Sequence, residues 1–381
     1  MEAEENREEI EVYNTISVQN EENDAEDNIY PNTSIKIDKD QYSIFELKRK
    51  YDKGKICMDP SFQRNFVWKS RQMSELIESV IMGIPLPLIY LAESENGDLI
   101  VVDGRQRLTT FFKFLNNEFH LNKLSILKEI NGYNFKQLEE KYDKYASSVE
   151  DFQLVVQIIK YPTPDRIRFD IFDRVNRGGT PLNKQEMRNA LYQGKATELL
   201  NRLSKNEAFR NAIGCGISDK HMKDKYIILR ALAFYLYFHH ILTDDKTQKF
   251  EYKSDMEDFL GTTMKYLYRC LDEEIQKVEE LFVSTMNYIS KFMDKDVFRL
   301  NTGSERKQPI SMTLFETLFY LFSMIVNSER CISEEKIQQK VNALKMDEEF
   351  LRSLRHSVDS THSVKARFRM IEGAYKELSN V

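Results

Sequence analysis

An α+β domain followed by a mainly helical region is the fold the sequence predicts, and three observations carry that expectation. Short apolar runs at residues 56–58, 88–91, 99–102 and 154–159 have the length of buried strands, and stretches with helical apolar spacing separate them. Beyond Leu199 the pattern is helical, with no apolar run of strand length and weight. Glycine and proline number only 13 and 8 in 381 residues, which favours helix over turn-rich β structure. The expected division is an acidic tail over residues 1–30, an α+β domain over 31–199 and a helical domain over 200–381.

Within the first domain, residues 42–51 predict a short helix through Ile44, Phe45 and Leu47, and residues 56–58 a small strand. The segment Asp59-Pro60-Ser61-Phe62-Gln63-Arg64-Asn65-Phe66-Val67-Trp68-Lys69 mixes aromatics with cations and contains the single tryptophan. Its aromatics can plug a core from a loop, a structural role for Trp68, while Gln63 and Arg64 reach into a polar pocket. Ser70 is placed to cap a helix buried through Met73, Leu76, Ile77, Val80 and Ile81, with Gly83 as its stop. A proline-flanked turn and strand over residues 85–91 and a polar hairpin turn over 93–97 lead into the central segment.

That segment is Leu99-Ile100-Val101-Val102-Asp103-Gly104-Arg105-Gln106-Arg107-Leu108. A buried strand ends in a tight Asp-Gly turn, and Leu108, Phe111, Phe112 and Leu115 then continue at helical spacing. Unsatisfied N–H groups at a helix start can hold an anion, and Arg105 and Arg107 can clamp it. The alternative is structural: Asp103 caps the helix and the arginines are solvated or salt-bridged.

Residues 117–147 are expected as an excursion of short strands with a helix around 135–145, and residues 154–159 as a further strand. Pro164 predicts the start of a helix buried through Ile167, Ile171, Phe172 and Val175. It ends in Asn176-Arg177-Gly178-Gly179-Thr180-Pro181-Leu182-Asn183, where two glycines permit close backbone approach to a ligand. Asn183 and Glu186 have the spacing of a capping box, a structural role. Strongly apolar helices are expected over 226–240 and 311–326, and further helices over 256–268 and 271–292. The basic clusters at residues 301–309 and 365–369 offer surfaces for a polyanion or for solvent.

Charge and cysteine usage narrow the functional classes. The net charge is −6, but residues 1–30 hold eleven acids and one arginine, so the remainder is slightly basic. This permits a nucleic-acid surface without demanding one. Cys57, Cys215, Cys270 and Cys331 have no metal-ligand spacing and read as reduced thiols of a cytoplasmic protein. The acidic start lacks a signal peptide's pattern, and no window has the apolarity of a membrane span. No glycine-rich loop ends in Lys-Ser/Thr, so P-loop chemistry is not expected.

Four motifs together carry a family resemblance. Pro60-Ser61-Phe62-Gln63-Arg64 with Val67-Trp68-Lys69, Ile84-Pro85-Leu86-Pro87, Asp103-Gly104-Arg105-Gln106-Arg107-Leu108-Thr109, and residues 176–182 with Glu186 occur in the order seen in the N-terminal domain of GmrSD-type modification-dependent restriction enzymes. That domain lies within the ParB/sulfiredoxin-like superfamily, and the resemblance covers residues 42–200. Its usual pentapeptide is Asp-Gly-Gln-Gln-Arg; here Arg105 replaces the first glutamine and adds positive charge.

The resemblance implies a nucleoside triphosphate site used, with Mg2+, by a bacterial anti-phage or restriction-type defence component. Asp103, Gln106 and Arg107 would be catalytic, with Asp103 also the metal contact. Gln63, Arg64, Gly104, Arg105, Asn176, Gly178 and Gly179 would bind the nucleotide. Full restriction proteins of this type carry an HNH-like nuclease, whereas His120, His221, His239, His240, His356 and His362 occur in no such setting. The expected partners are therefore the nucleotide, DNA, a separate nuclease or effector subunit, or a second copy, with no membrane. A ParB-like DNA clamp and an interaction scaffold without turnover are the competing readings.

Overall fold

The computed structural model describes residues 36–58, 68–94, 96–163, 165–175, 184–192, 194–214, 216–217, 222–244, 248–300, 308–328 and 332–379. The acidic tail, Gln63 and Arg64, Asn176, Gly178, Gly179 and Asn183, Cys215 and Cys331, and residues 301–307 all lie outside them. Two compact units divide between Leu191 and Tyr192.

The first unit is α+β, as the sequence predicts. Its strands are β1 (Ile37–Ser43), β2 (Ile56–Cys57), β3 (Ile89–Glu93), β4 (Leu99–Asp103) and β5 (Gln153–Ile159). They form one mixed sheet in the order β1-β5-β3-β4-β2. The β3–β4 and β1–β5 pairs are antiparallel, whereas β3–β5 and β2–β4 are parallel. The helices are α1 (Ile44–Asp52), α2 (Ser70–Ile81), α3 (Arg105–Leu115), α4 (Phe135–Lys141), α5 (Asp143–Glu150), α6 (Asp165–Val175) and α7 (Lys184–Leu191).

β4 is the structural spine because both its faces are buried. Leu99 and Val101 join the main core with Ile44, Leu76, Ile77, Ile89, Phe111 and Val156. Ile100 and Val102 point the other way along the pleat and are equally buried. α6 and α7 both lie against β4. α3 feeds Leu108, Phe111, Phe112 and Phe114 into the core, and Tyr51 stacks on Phe112 at 4.9 Å between ring centroids. Trp68 packs, partly buried, on the same core.

Three local expectations are corrected. The cap of α2 is Lys69, not Ser70: the Lys69 N–H donates to Gln72, and Ser70 is the first helical residue. Residues 117–147 contain no strand; a 3-10 turn (Lys128–Ile130), α4 and most of α5 occupy them. Backbone groups that strands would have paired are met by side chains instead. Glu78 of α2, 6% exposed, accepts from the Ile126 and Leu127 N–H groups at 2.8 and 2.7 Å, and Ser74 accepts from that of Asn122. Finally, β1 exists where the sequence showed no strand, because its register against β5 supplies the hydrogen bonds that its exposed Asp38, Lys39, Asp40 and Gln41 do not advertise.

The second unit is helical: α8 (Lys195–Lys205), α9 (Glu207–Ala212), α10 (Lys223–Phe238), α11 (Met256–Arg269), α12 (Asp272–Phe292), α13 (Met312–Val326), α14 (Glu334–Leu344), α15 (Glu348–Arg355) and α16 (Thr361–Ser379). α13 packs against α10, α12 and α16 and is buried on nearly all sides, as its uniform apolarity predicts. The basic cluster at 365–369 is not simply a surface. Arg367 is fully buried in α16 and donates to Glu316 at 2.7 Å, so its charge is spent inside the fold. Among the described residues no helix is long and apolar enough to cross a membrane.

Candidate functional site

The strand–turn–helix corner at the end of β4 gathers five of the predicted site residues. Asp103 closes the strand opposite Tyr90, beside a register shift between Tyr90 and Leu91. Such irregularities re-aim side chains at strand ends. Gly104 follows with φ 95° and ψ 8°, in the left-handed region. A Cβ there would come within 2.2 Å of the Ile89 Cδ1 atom, itself in the core. Glycine is thus required twice, by conformation and by space. Gly104→Ala is expected to lower stability by about 1–3 kcal/mol, read as a shifted urea midpoint with unchanged slope.

Gly104 is the N-cap of α3 and has no side chain to cap it; the first helical bond runs from the Leu108 N–H to the Gly104 carbonyl at 2.8 Å. Asp103 therefore does not cap the helix, which corrects that part of the structural alternative, while its salt-bridged arginine is found in Arg107. Its carboxylate instead accepts from Arg107 Nη2 at 3.0 Å, and the same guanidinium donates to the carbonyls of Leu88, at 3.0 Å, and Pro87. One side chain thereby ties the acid, the first turn of α3 and the proline turn entering β3 into a single rigid corner. Only 11% of the Arg107 side chain is exposed, against 36% for Asp103. Burial pulls the Arg107 pKa below its ordinary value, Asp103 offsets part of that, and the group remains charged.

The other two side chains complete the corner. Arg105 opens α3 and has its terminal guanidinium nitrogens shielded from solvent. Gln106 presents a buried Oε1 that no hydrogen-bond donor among the described residues meets. A buried acceptor without a donor is costly, and in native folds such a group calls for an explanation, a ligand or catalytic role among them.

Asp103 is the residue on this corner able to meet a metal. Mg2+ is commonly held by one or two carboxylates together with phosphate oxygens and water, so a single acid with an exposed edge fits it when a triphosphate is present. Among the described residues no group of three or more His, Cys, Asp or Glu side chains could hold a metal without such help.

Further polar residues that the sequence reading missed lie on α7. Gln185, Glu186, Arg188 and Asn189 are all at most 3% exposed. Glu186 was expected only as a capping partner. The available signal was the i, i+3, i+4 spacing of Gln185, Arg188 and Asn189, which places three polar side chains on one helix face.

Residues 43–193 match the N-terminal domain of the GmrSD restriction endonuclease. The GmrSD-type region thus contains β2 to β5 of the sheet, with only Ser43 of β1, together with the Asp103 corner and α7. A protein of Methanocaldococcus jannaschii whose function is uncharacterized is 29% identical over 102 residues, 20% of this chain and 17% of that protein. The chain thus aligns with under a fifth of that relative's length. No solved structure matches the chain significantly.

Proposed function

We propose that the Asp103 corner binds a nucleoside triphosphate with Mg2+ and hydrolyses it, and that the chain is a nucleotide-regulated component of a restriction-type defence system. The observation that carries this reading is the fixed acid at an uncapped helix start: Arg107 holds Asp103 beside the Gly104 turn, where α3 begins. Phosphate oxygens suit the N–H groups there, and Arg105 and Arg107 offset their charge. Mg2+, when bound, would draw charge from the phosphates, and Asp103 would hold it from the protein side.

The roles follow from position. Asp103 holds the cation or orients the attacking water. Gln106, with its unmet Oε1, accepts a hydrogen bond from that water. Arg107 adds charge and keeps Asp103 aimed, and Arg105 adds the second positive charge. Gln63, Arg64, Asn176, Gly178 and Gly179 enter the proposal as further nucleotide-binding residues on the strength of the family match. DNA, a separate nuclease or effector subunit, and a second copy are the partners that a nucleotide-dependent regulator would address.

Phosphate release by the full chain, with each of four nucleoside triphosphates and Mg2+, with and without DNA, tests the proposal. Turnover with at least one nucleotide is expected, and its loss in EDTA. Salt-sensitive DNA retention without turnover would point to a clamp instead, and neither activity would point to a scaffold; both outcomes overturn hydrolysis.

A further inference from the structure

We propose that Gln185 and Asn189 of α7 read the heterocyclic edge of the nucleotide, so that base selectivity resides on this helix and not on the Asp103 corner. The inference rests on the nucleotide reading above and adds to it the part of the ligand that phosphate chemistry leaves unaddressed.

α7 is a short helix buried throughout from Gln185 to Asn189, and all of those residues except Met187 are polar or charged. Gln185 is 3% exposed, Asn189 1% and Arg188 0%. The Gln185 Nε2 and Asn189 Oδ1 atoms are both buried, with no hydrogen-bond partner among the described residues. Folding has taken a donor and an acceptor out of water and given them nothing in return, an arrangement that costs stability and is purposeful where a ligand supplies the missing bonds.

The orientation of Gln185 is set by its neighbour. Arg188 Nη1 lies 3.4 Å from Gln185 Oε1, and a guanidinium can only donate, so the atom facing it is the oxygen and the NH2 group is left to seek an acceptor. Gln185 and Asn189 are four residues apart and share one face of the helix. Together they offer one neutral donor and one neutral acceptor, one turn apart.

That pairing selects the ligand chemistry. A phosphate group carries acceptors only, so it would satisfy Gln185 and confront Asn189 Oδ1 with a second oxygen. A nucleobase edge carries a donor beside an acceptor and satisfies both. Position agrees: α7 lies against β4, the strand whose last residue is Asp103.

The test measures equilibrium binding of ATP, GTP, CTP, UTP and inorganic tripolyphosphate, each with Mg2+, to the full wild-type chain and to the near-isosteric variants Gln185→Met and Asn189→Leu. Wild type is expected to prefer one base over the least favoured, and over tripolyphosphate, by about tenfold or more. In either variant the four nucleotides and tripolyphosphate should bind within about threefold of each other, because the remaining phosphate contacts are common to all. The ligand-free Asn189→Leu chain should melt no lower than wild type, since it removes an unmet buried acceptor, whereas Gln185→Met also takes an acceptor from Arg188 and should melt lower. Gln185→Glu, which keeps the length and the oxygen but removes the donor, must also change the ranking, so a poorly folded apolar variant does not decide the matter.

Variants that keep the wild-type ranking overturn the assignment, as does a wild-type chain that binds tripolyphosphate as tightly as every nucleotide; nucleotide binding itself survives both results. A wild-type chain that binds none of the five ligands overturns the nucleotide reading, and the assignment falls with it.

Discussion

Glu316→Ala should lower the stability of the helical unit by about 3–5 kcal/mol, the largest effect expected of any single substitution in that unit. Glu316 is fully buried on α13 and accepts from Arg230 of α10 at 2.5 and 3.1 Å and from Arg367 of α16 at 2.7 Å. Arg230 also meets Asp359 at 2.8 Å, so two guanidinium groups balance two carboxylates. Arg367 reaches the Val358 carbonyl at 2.6 Å, and the Tyr252 hydroxyl donates to that of Asp359 at 2.5 Å. Removing Glu316 takes the carboxylate from Arg367 and leaves Arg230 with Asp359 alone, in a core lined by Phe234 and Phe368. Thermal unfolding followed by far-UV circular dichroism should shift down on the order of 10 °C. The fluorescence of Trp68, the single tryptophan and part of the α+β unit, should report an unshifted transition. Equal shifts in both signals would show that the network supports more than its own unit.

The same network sets an acid limit. Burial acts to raise the Asp359 pKa, but the charge and hydrogen bond of Arg230, with Arg367 behind, outweigh it and hold the group below its usual value. A carboxylate whose folded pKa is depressed stabilises the fold above its unfolded pKa, about 4, and that contribution fades as pH falls through the folded pKa. Asp359→Asn should therefore flatten the decline in stability below about pH 4 relative to wild type. Urea midpoints measured from pH 6 to pH 3 read the difference; parallel profiles would assign the acid sensitivity to other carboxylates.

The second large effect concerns the corner itself. Asp103→Asn should cut nucleotide turnover by roughly 100-fold or more while leaving the fold in place. The carboxylate is 36% exposed and its pairing with Arg107 contributes little net stability. Arg107 keeps its bonds to Pro87 and Leu88, so the β3 entry turn stays fastened. Arg107→Ala should differ in kind: it removes turnover and also releases two backbone carbonyls, lowering stability by about 1–3 kcal/mol. Phosphate release and thermal melts on both variants separate the two roles. Wild-type turnover in Asp103→Asn would remove that residue from the chemistry.

The contrast between these residues explains what a sequence reader can see. β3, β4 and β5 were legible because apolar runs advertise burial directly. β1 was not, because its exposed residues reveal nothing of backbone pairing with β5, more than a hundred residues on. Arg367 looked like surface charge because its partner Glu316 lies 51 residues away, and a helix shows the same basic cluster whether solvated or buried. At the corner, the Asp-Gly turn and its arginines were readable as a group. The partners of Arg107 were not, since two of them are backbone carbonyls about twenty residues upstream. The polar face of α7 had a readable period, but a polar period is ordinarily a solvent-facing one, and only its burial reverses that meaning.

Hydrogen–deuterium exchange over residues 104–108, with and without Mg2+ and the preferred triphosphate, is the most direct measurement of whether a phosphate seats at the start of α3. Slowed exchange there, absent from the Asp103→Asn chain under the same conditions, is the predicted result. Saturating nucleotide that protects some other segment and leaves these amides untouched would contradict it.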